Sequence, residues 1–165
     1  MSLQGVGIKA LSGVDRRNTD GFSIGARSLL YVPKEVKLLH IMKIIHVDAN
    51  RFAENTMREQ ISQIVPDAEL HCFNHPDTAL AFAEAEGCDV LLTDTVFDGF
   101  SLDGTMLAEQ VQRVNPNVNI IFVTDHADTS AAFSAWQLGA SAFLLRPYEK
   151  QRLAKALADP RFAQV

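Results

Sequence analysis

Residues 88–104 read CDVLLTDTVFDGFSLDG, and the fold turns on how that stretch is parsed. Val90-Leu91-Leu92-Thr93 stops at Asp94, and Asp98 and Asp103 follow in the next loop. A short apolar run closed by a carboxylate reads as a buried strand with something polar at its end. Asp and Gly also punctuate loops for purely local hydrogen-bonding reasons. Turn chemistry and a functional site are both open here, and the flanking sequence decides between them.

Upstream, KIIHV (43–47) and ELHCF (69–73) are short β-rich runs. Between them, residues 51–65 place Ala53, Met57, Ile61 and Ile64/Val65 at helical spacing. PDTALAFAEAE (76–86) predicts an Ala-rich helix stopped by Gly87. Downstream, residues 104–114 carry Leu107, Val111 and Val114 on one helical face, and NIIFV (119–123) is a fourth strand. A helix over 128–138 ends at Gly139, AFLL (142–145) is the fifth strand, and 148–158 is a closing helix. Five apolar strands alternating with helices predict an α/β fold whose parallel sheet is covered on both faces.

The remainder of the chain bounds the class. A length of 165 residues suits one domain able to bury a core without staples. With 47% hydrophobic and 21% charged residues, the chain reads as soluble and globular. No apolar stretch approaches the roughly 18 residues of a membrane span, and the N-terminus lacks the build of a signal peptide; the expected location is cytoplasmic. Cys72 and Cys88 form no CxxC pair and read as small buried hydrophobes. Residues 1–41 hold five of the nine glycines and six Lys/Arg against three Asp/Glu. No periodicity lasts there, and only SLLYV (28–32) suits a strand, so a flexible extension is expected. Residues 42–165 carry nine Lys/Arg against seventeen Asp/Glu, which argues against nucleic acid as a direct partner.

In parallel doubly wound sheets, sites lie at the carboxyl ends of the strands. Strand 1 ends in Asp48, strand 3 in Asp94, strand 4 in Thr124, and strand 5 in Arg146-Pro147. Two acids, a hydroxyl and a cation on four strand ends favour a site over scattered turn residues.

HVDA around Asp48, LLTD with Asp94, Asp103-Gly104, FVT with Thr124, GASAF with Gly139 and Phe143, and Arg146-Pro147 together resemble the receiver domain of bacterial response regulators. The likeness covers residues 42–158, with 159–165 as a C-terminal tail and no output domain expected within this chain. It implies the flavodoxin-like receiver architecture, a five-stranded parallel sheet in order 2-1-3-4-5. It also implies that Asp94 is the phosphoacceptor for a partner histidine kinase or phosphotransfer protein, that Asp48 and Asp94 hold Mg²⁺, and that Thr124 and Arg146 contact the phosphoryl group. Carboxylate oxygens suit a hard divalent ion, and incoming phosphoryl charge needs an offset. AAFSAWQLGASAFLLRP (131–147) is similar in flavour to the receivers of LytTR-type regulators.

Three departures stand out. The family's second acid after strand 1 is here Ala49, which removes a direct metal ligand. Its strand 5 lysine is Arg146, with the same charge in a bulkier fork. The loop from Asp94 to Asp103-Gly104 is longer than usual, and Asp98 within it is a candidate to replace the missing acid.

The five histidines form no ligand set: His71 falls on a strand and His75 at a turn, His46 reads as a core or sheet-flank residue, and His126 lies near the rim. No GxGxxG or GxxxxGK[ST] is present, so nucleotide binding has no motif behind it. The expected function is a non-enzymatic signalling receiver that switches a helix 4–strand 5–helix 5 face, with homodimerisation through that face. Two alternatives are a degenerate receiver acting as an interaction module without phosphorylation, and a flavodoxin-like cofactor enzyme. DANRF after strand 1 lacks the phosphate loop that the latter needs. On the partner face, positions 132, 136 and 139 are expected to share an outward side distinct from that of Phe133 and Ala140, with Trp136 exposed near Phe143.

Overall fold

Each of the five apolar runs between residues 43 and 145 becomes a strand in the computed structural model, which describes residues 40–162. SLLYV (28–32), nearly all of the extension expected over 1–41, and the last three residues of the tail lie outside the described residues. In chain order the elements are β1 (Lys43–Val47), α1 (Arg51–Ile64), β2 (Glu69–Phe73), α2 (Pro76–Glu86), β3 (Val90–Thr93), α3 (Gly104–Val114), β4 (Asn119–Thr124), α4 (Thr129–Gln137), β5 (Ala142–Leu145) and α5 (Lys150–Leu157). A 3₁₀ turn at Pro160–Phe162 follows, within the segment read from sequence as a plain tail. The five strands form one parallel sheet in the order β2-β1-β3-β4-β5.

Strand alternation divides the core into two layers, because successive side chains point to opposite faces. Ile45, Val47, Leu91, Ile120 and Phe122 meet Ala79 and Ala83 of α2, Leu107 and Val111 of α3, and Ala135 of α4. On the other face, Ile44, Leu92, Ile121, Val123 and Leu144 meet Met57 and Ile61 of α1 and Leu153 and Leu157 of α5. The three central strands are buried on both sides, which is why their sequences read as continuous apolar runs rather than as alternation.

Helix starts follow local capping chemistry. The side chains of Asn50, Asp103 and Asp128 accept hydrogen bonds from the backbone N–H groups of Phe52, Met106 and Ser130, at the first turns of α1, α3 and α4. The last of these trims the sequence expectation for α4, since Asp128 caps the helix rather than entering it. The closing helix is shorter than its expected 148–158 span because Glu149 is extended and the helix starts at Lys150. Gly87 ends α2 with φ +67°, a conformation that disfavours side chains with a Cβ.

Candidate functional site at the carboxyl rim

The acids of the rim are presented by the sheet ladder running one residue past its strands. Asp48 N–H donates to Phe73 O (3.1 Å), and Asp94 N–H donates to Val47 O (3.0 Å). The backbone is therefore satisfied, and both carboxylates are left at the edge of a dry sheet, largely buried. Arg146 leaves β5 with its N–H on Thr124 O at 2.8 Å and a cis bond to Pro147.

The guanidinium of Arg146 gathers three carboxylates. It donates to Asp48 Oδ2 at 2.6 Å and to Asp125 Oδ2 at 3.3 Å, and it lies 3.8 Å from Asp94 Oδ2. Asp94 also pairs with Arg146, but by the longest of the three contacts. Asp48 Oδ1 accepts the Asn50 N–H at 2.7 Å, so both oxygens of Asp48 are engaged. Burial pushes the Asp48 carboxyl above the usual range, and the Asn50 N–H and the Arg146 charge only partly oppose this. Asp94 Oδ1 accepts the Thr95 N–H at 2.6 Å. Among the described residues no hydrogen bond reaches Asp94 Oδ2.

Thr124 is fully buried, and its hydroxyl meets the Thr95 hydroxyl at 2.9 Å. The same oxygen accepts the His126 N–H at 3.1 Å. Thr95 Oγ1 in turn lies 3.5 Å from Asp94 Oδ1, so the strand 4 hydroxyl is coupled to the strand 3 acid through one intervening side chain. His126 itself is exposed and contributes its backbone rather than its ring.

The three acids of the 88–104 stretch part company. Only Asp94 belongs to the rim. Asp98 sits exposed in a turn beside Gly99 and makes none of the ion pairs there among the described residues, so it does not replace the acid missing at Ala49. Asp103 caps α3 by local turn chemistry. Gly104 has a tighter reason for its identity: a Cβ there would lie 1.8 Å from the Asp94 carbonyl oxygen. The loop is thus folded back onto the backbone of Asp94, with Gly104 N–H donating to Thr95 O at 3.0 Å.

Two members of the site, Thr95 and Asp125, are not among the residues that the sequence singles out. Each immediately follows a strand-end residue, Asp94 or Thr124, so adjacency beyond a strand end is their one signal in the sequence. Beneath the rim, His46 is buried on β1 with neither ring nitrogen hydrogen-bonded. Burial, reinforced by the Arg146 charge, holds its pKa down at about 3.

On α4, Trp136 is 74% exposed, as expected, but its companion differs from the expectation. Phe133 is 57% exposed and packs its ring 5.9 Å from that of Trp136. The helix buries Ala135 instead, because a short helix set on a sheet by small residues turns its large rings outward. Phe143 faces inward, its ring 6.0 Å from Phe122 and packed against the core, so it is only partly available as a surface residue.

A parallel 2-1-3-4-5 sheet with two acids, a threonine and a cation on its carboxyl rim defines a receiver-type signalling domain. The sequence model of the response regulator receiver domain matches residues 44–158, and the chain belongs to that family. The transcriptional regulator NtrC of Salmonella typhimurium is 32% identical over 98 residues, 58% of this chain and 20% of that protein. The cyclic di-GMP phosphodiesterase response regulator RpfG of Xanthomonas campestris is 29% identical over 114 residues, 68% of this chain and 30% of that protein. The chain thus spans about a fifth to a third of the length of these curated relatives. A CheY-like receiver domain from Methanospirillum hungatei superposes with a TM-score of 0.66 at 20% identity, covering 74% of this chain and 94% of that one.

Receiver domains generally bind Mg²⁺ at an acidic site. The rim of this chain does not fit that ion well. Position 49 offers no side-chain oxygen, both oxygens of Asp48 are engaged, and the carboxylates converge on a guanidinium. Among the described residues no group of three or more His, Cys, Asp or Glu is arranged to hold a metal. None of the described helices is long and apolar enough to cross a membrane.

Proposed function

We propose that Asp94 accepts a phosphoryl group from a phosphohistidine on a partner histidine kinase or phosphotransfer protein. The supporting observation is the geometry of Asp94: its Oδ1 is anchored by Thr95, while Oδ2 is left toward the Arg146 charge at 3.8 Å. In this reading Oδ2 attacks phosphorus, a P–O bond forms as the P–N bond breaks, and the electron pair stays on the imidazole nitrogen. Arg146 offsets the charge of the transferred group, and the Thr124 hydroxyl is positioned through Thr95 to meet it.

The consequence is carried to the α4–β5–α5 face, where Phe133 and Trp136 anchor a second copy or a partner. Exposed aromatics of this size favour contact formation. The chain is read as a non-enzymatic, cytoplasmic module that leaves any contact with nucleic acid to other domains; its acidic charge supports the last point. Incubation with acetyl phosphate followed by intact mass spectrometry tests the acceptor role. One phosphoryl increment is expected for the native chain and none for Asp94→Asn. An unmodified native chain would favour the phosphorylation-independent module instead.

A further inference from the structure

The rim already contains a cation, and it is part of the chain. A divalent ion of the Mg²⁺ type takes about six oxygens near 2.0–2.1 Å and gives up its waters reluctantly. Of the four carboxylate oxygens of Asp48 and Asp94, three already accept a hydrogen bond: Asp48 Oδ1 from Asn50 N–H, Asp48 Oδ2 from Arg146, and Asp94 Oδ1 from Thr95 N–H. The fourth, Asp94 Oδ2, is the atom that the proposed acceptor role requires. A metal ion would either take that atom or share an oxygen that already accepts a hydrogen bond, in one case from the Arg146 cation.

We infer that the Arg146 guanidinium is the resident cation of this site, standing where the family places a divalent ion, and that the rim works without Mg²⁺. The chemistry of two of the three departures, Ala49 and Arg146, supports this jointly. Ala49 deletes one negative charge and one hard ligand, which lowers the pull on a divalent ion. Arg146 supplies a fork that reaches Asp48, Asp125 and Asp94 at once, which a single ammonium would do less well. A guanidinium is also permanently charged and weakly hydrated, so it occupies a largely buried rim at lower cost than a strongly hydrated ion. Asp125, more than half exposed, completes the outer side of the cluster. The part of the inference that concerns phosphorylation rests on the acceptor reading of Asp94; the part that concerns Mg²⁺ does not.

Calorimetric titration of Mg²⁺ into the native chain, Ala49→Asp, Arg146→Lys and the Ala49→Asp/Arg146→Lys double variant tests the assignment, alongside acetyl phosphate labelling in EDTA and in Mg²⁺. Ala49 is exposed, so an aspartate there is accommodated without repacking. The native chain is expected to show no saturable heat in the millimolar range, and the double variant to bind at least about tenfold more tightly, since affinity follows ligand charge. Labelling of the native chain is expected to be equal in the two buffers. Saturable low-millimolar binding by the native chain, or labelling that appears only with Mg²⁺, overturns the assignment. A chain unlabelled in both buffers and silent toward Mg²⁺ refutes the acceptor reading while supporting Arg146 as the resident cation.

Discussion

Arg146 Nη2 lies 2.6 Å from Asp48 Oδ2, joining residues 98 positions apart in the chain. Their strands are not neighbours. In the order β2-β1-β3-β4-β5, two strands stand between β1 and β5, so the pair bridges three inter-strand spacings, about 14 Å at the usual separation. Only a long side chain crosses that distance, and the reach takes Arg146 directly over Asp94. The ion pair therefore ties the two halves of the rim and sets the charge seen by the acid between them.

Thr124→Val removes the hydroxyl shared by Thr95 and the His126 N–H while keeping the shape of the side chain. Leaving buried partners unsatisfied costs about 1–3 kcal/mol. We expect that loss in urea unfolding, with Thr124→Ser recovering most of it. Equal losses in Val and Ser variants would assign the effect to packing rather than to the hydroxyl.

His46 should set part of the acid sensitivity of the domain. Its native pKa, about 3, lies below the ordinary 6.5, so the unfolded chain binds the extra proton and stability rises with pH between those values. The slope from this group approaches about 1.4 kcal/mol per pH unit within the window and vanishes above it. Asp48 acts oppositely: with its carboxyl raised, its contribution is full below the ordinary 3.8 and is lost as pH rises through the native value. His46→Leu is expected to flatten the rise between pH 4 and 6.5, and to match or exceed native stability at pH 7, because it removes two unpartnered buried nitrogens. Chemical denaturation across that range reads both effects.

Gly104→Ala places a methyl 1.8 Å from the Asp94 carbonyl oxygen, and backbone rather than a flexible side chain must give way. A loss of about 3 kcal/mol is expected in denaturant unfolding, at the upper end for overpacking. An alanine variant within 0.5 kcal/mol of native, on the order of a neutral surface change, would mean that the loop is free to lift away from Asp94.

Trp136 is the single tryptophan, so its fluorescence reports the α4 face without ambiguity. We expect acrylamide to quench it freely in dilute protein and less so as concentration is raised. Trp136→Ala should change stability by under about 0.5 kcal/mol, as at other exposed positions, yet weaken self-association in sedimentation velocity. Full quenching at every concentration, with or without Phe133→Ala, would exclude a second copy as the occupant of this face.

The alternation of apolar runs and helices by itself determined a parallel sheet covered on both faces, while its strand order was implied by the family resemblance; hydrophobic periodicity is a local property that burial enforces. The rim residues Asp48, Asp94, Thr124 and Arg146 were legible for the same reason: a polar residue closing an apolar strand is conspicuous in one dimension. What the residues do to one another was not. That Arg146 would choose Asp48 over Asp94, that Thr95 would link Thr124 to the acid, and that Asp103 would cap a helix while Asp98 turned outward all depend on contacts between distant segments. The same limit explains Phe133. Helical spacing ranks positions around an axis, but only the docking of α4 through Ala135 decided which side faced the sheet. Periodicity names the faces of an element; the tertiary packing, by the shapes and charges it brings within a few ångströms, decides which face meets what.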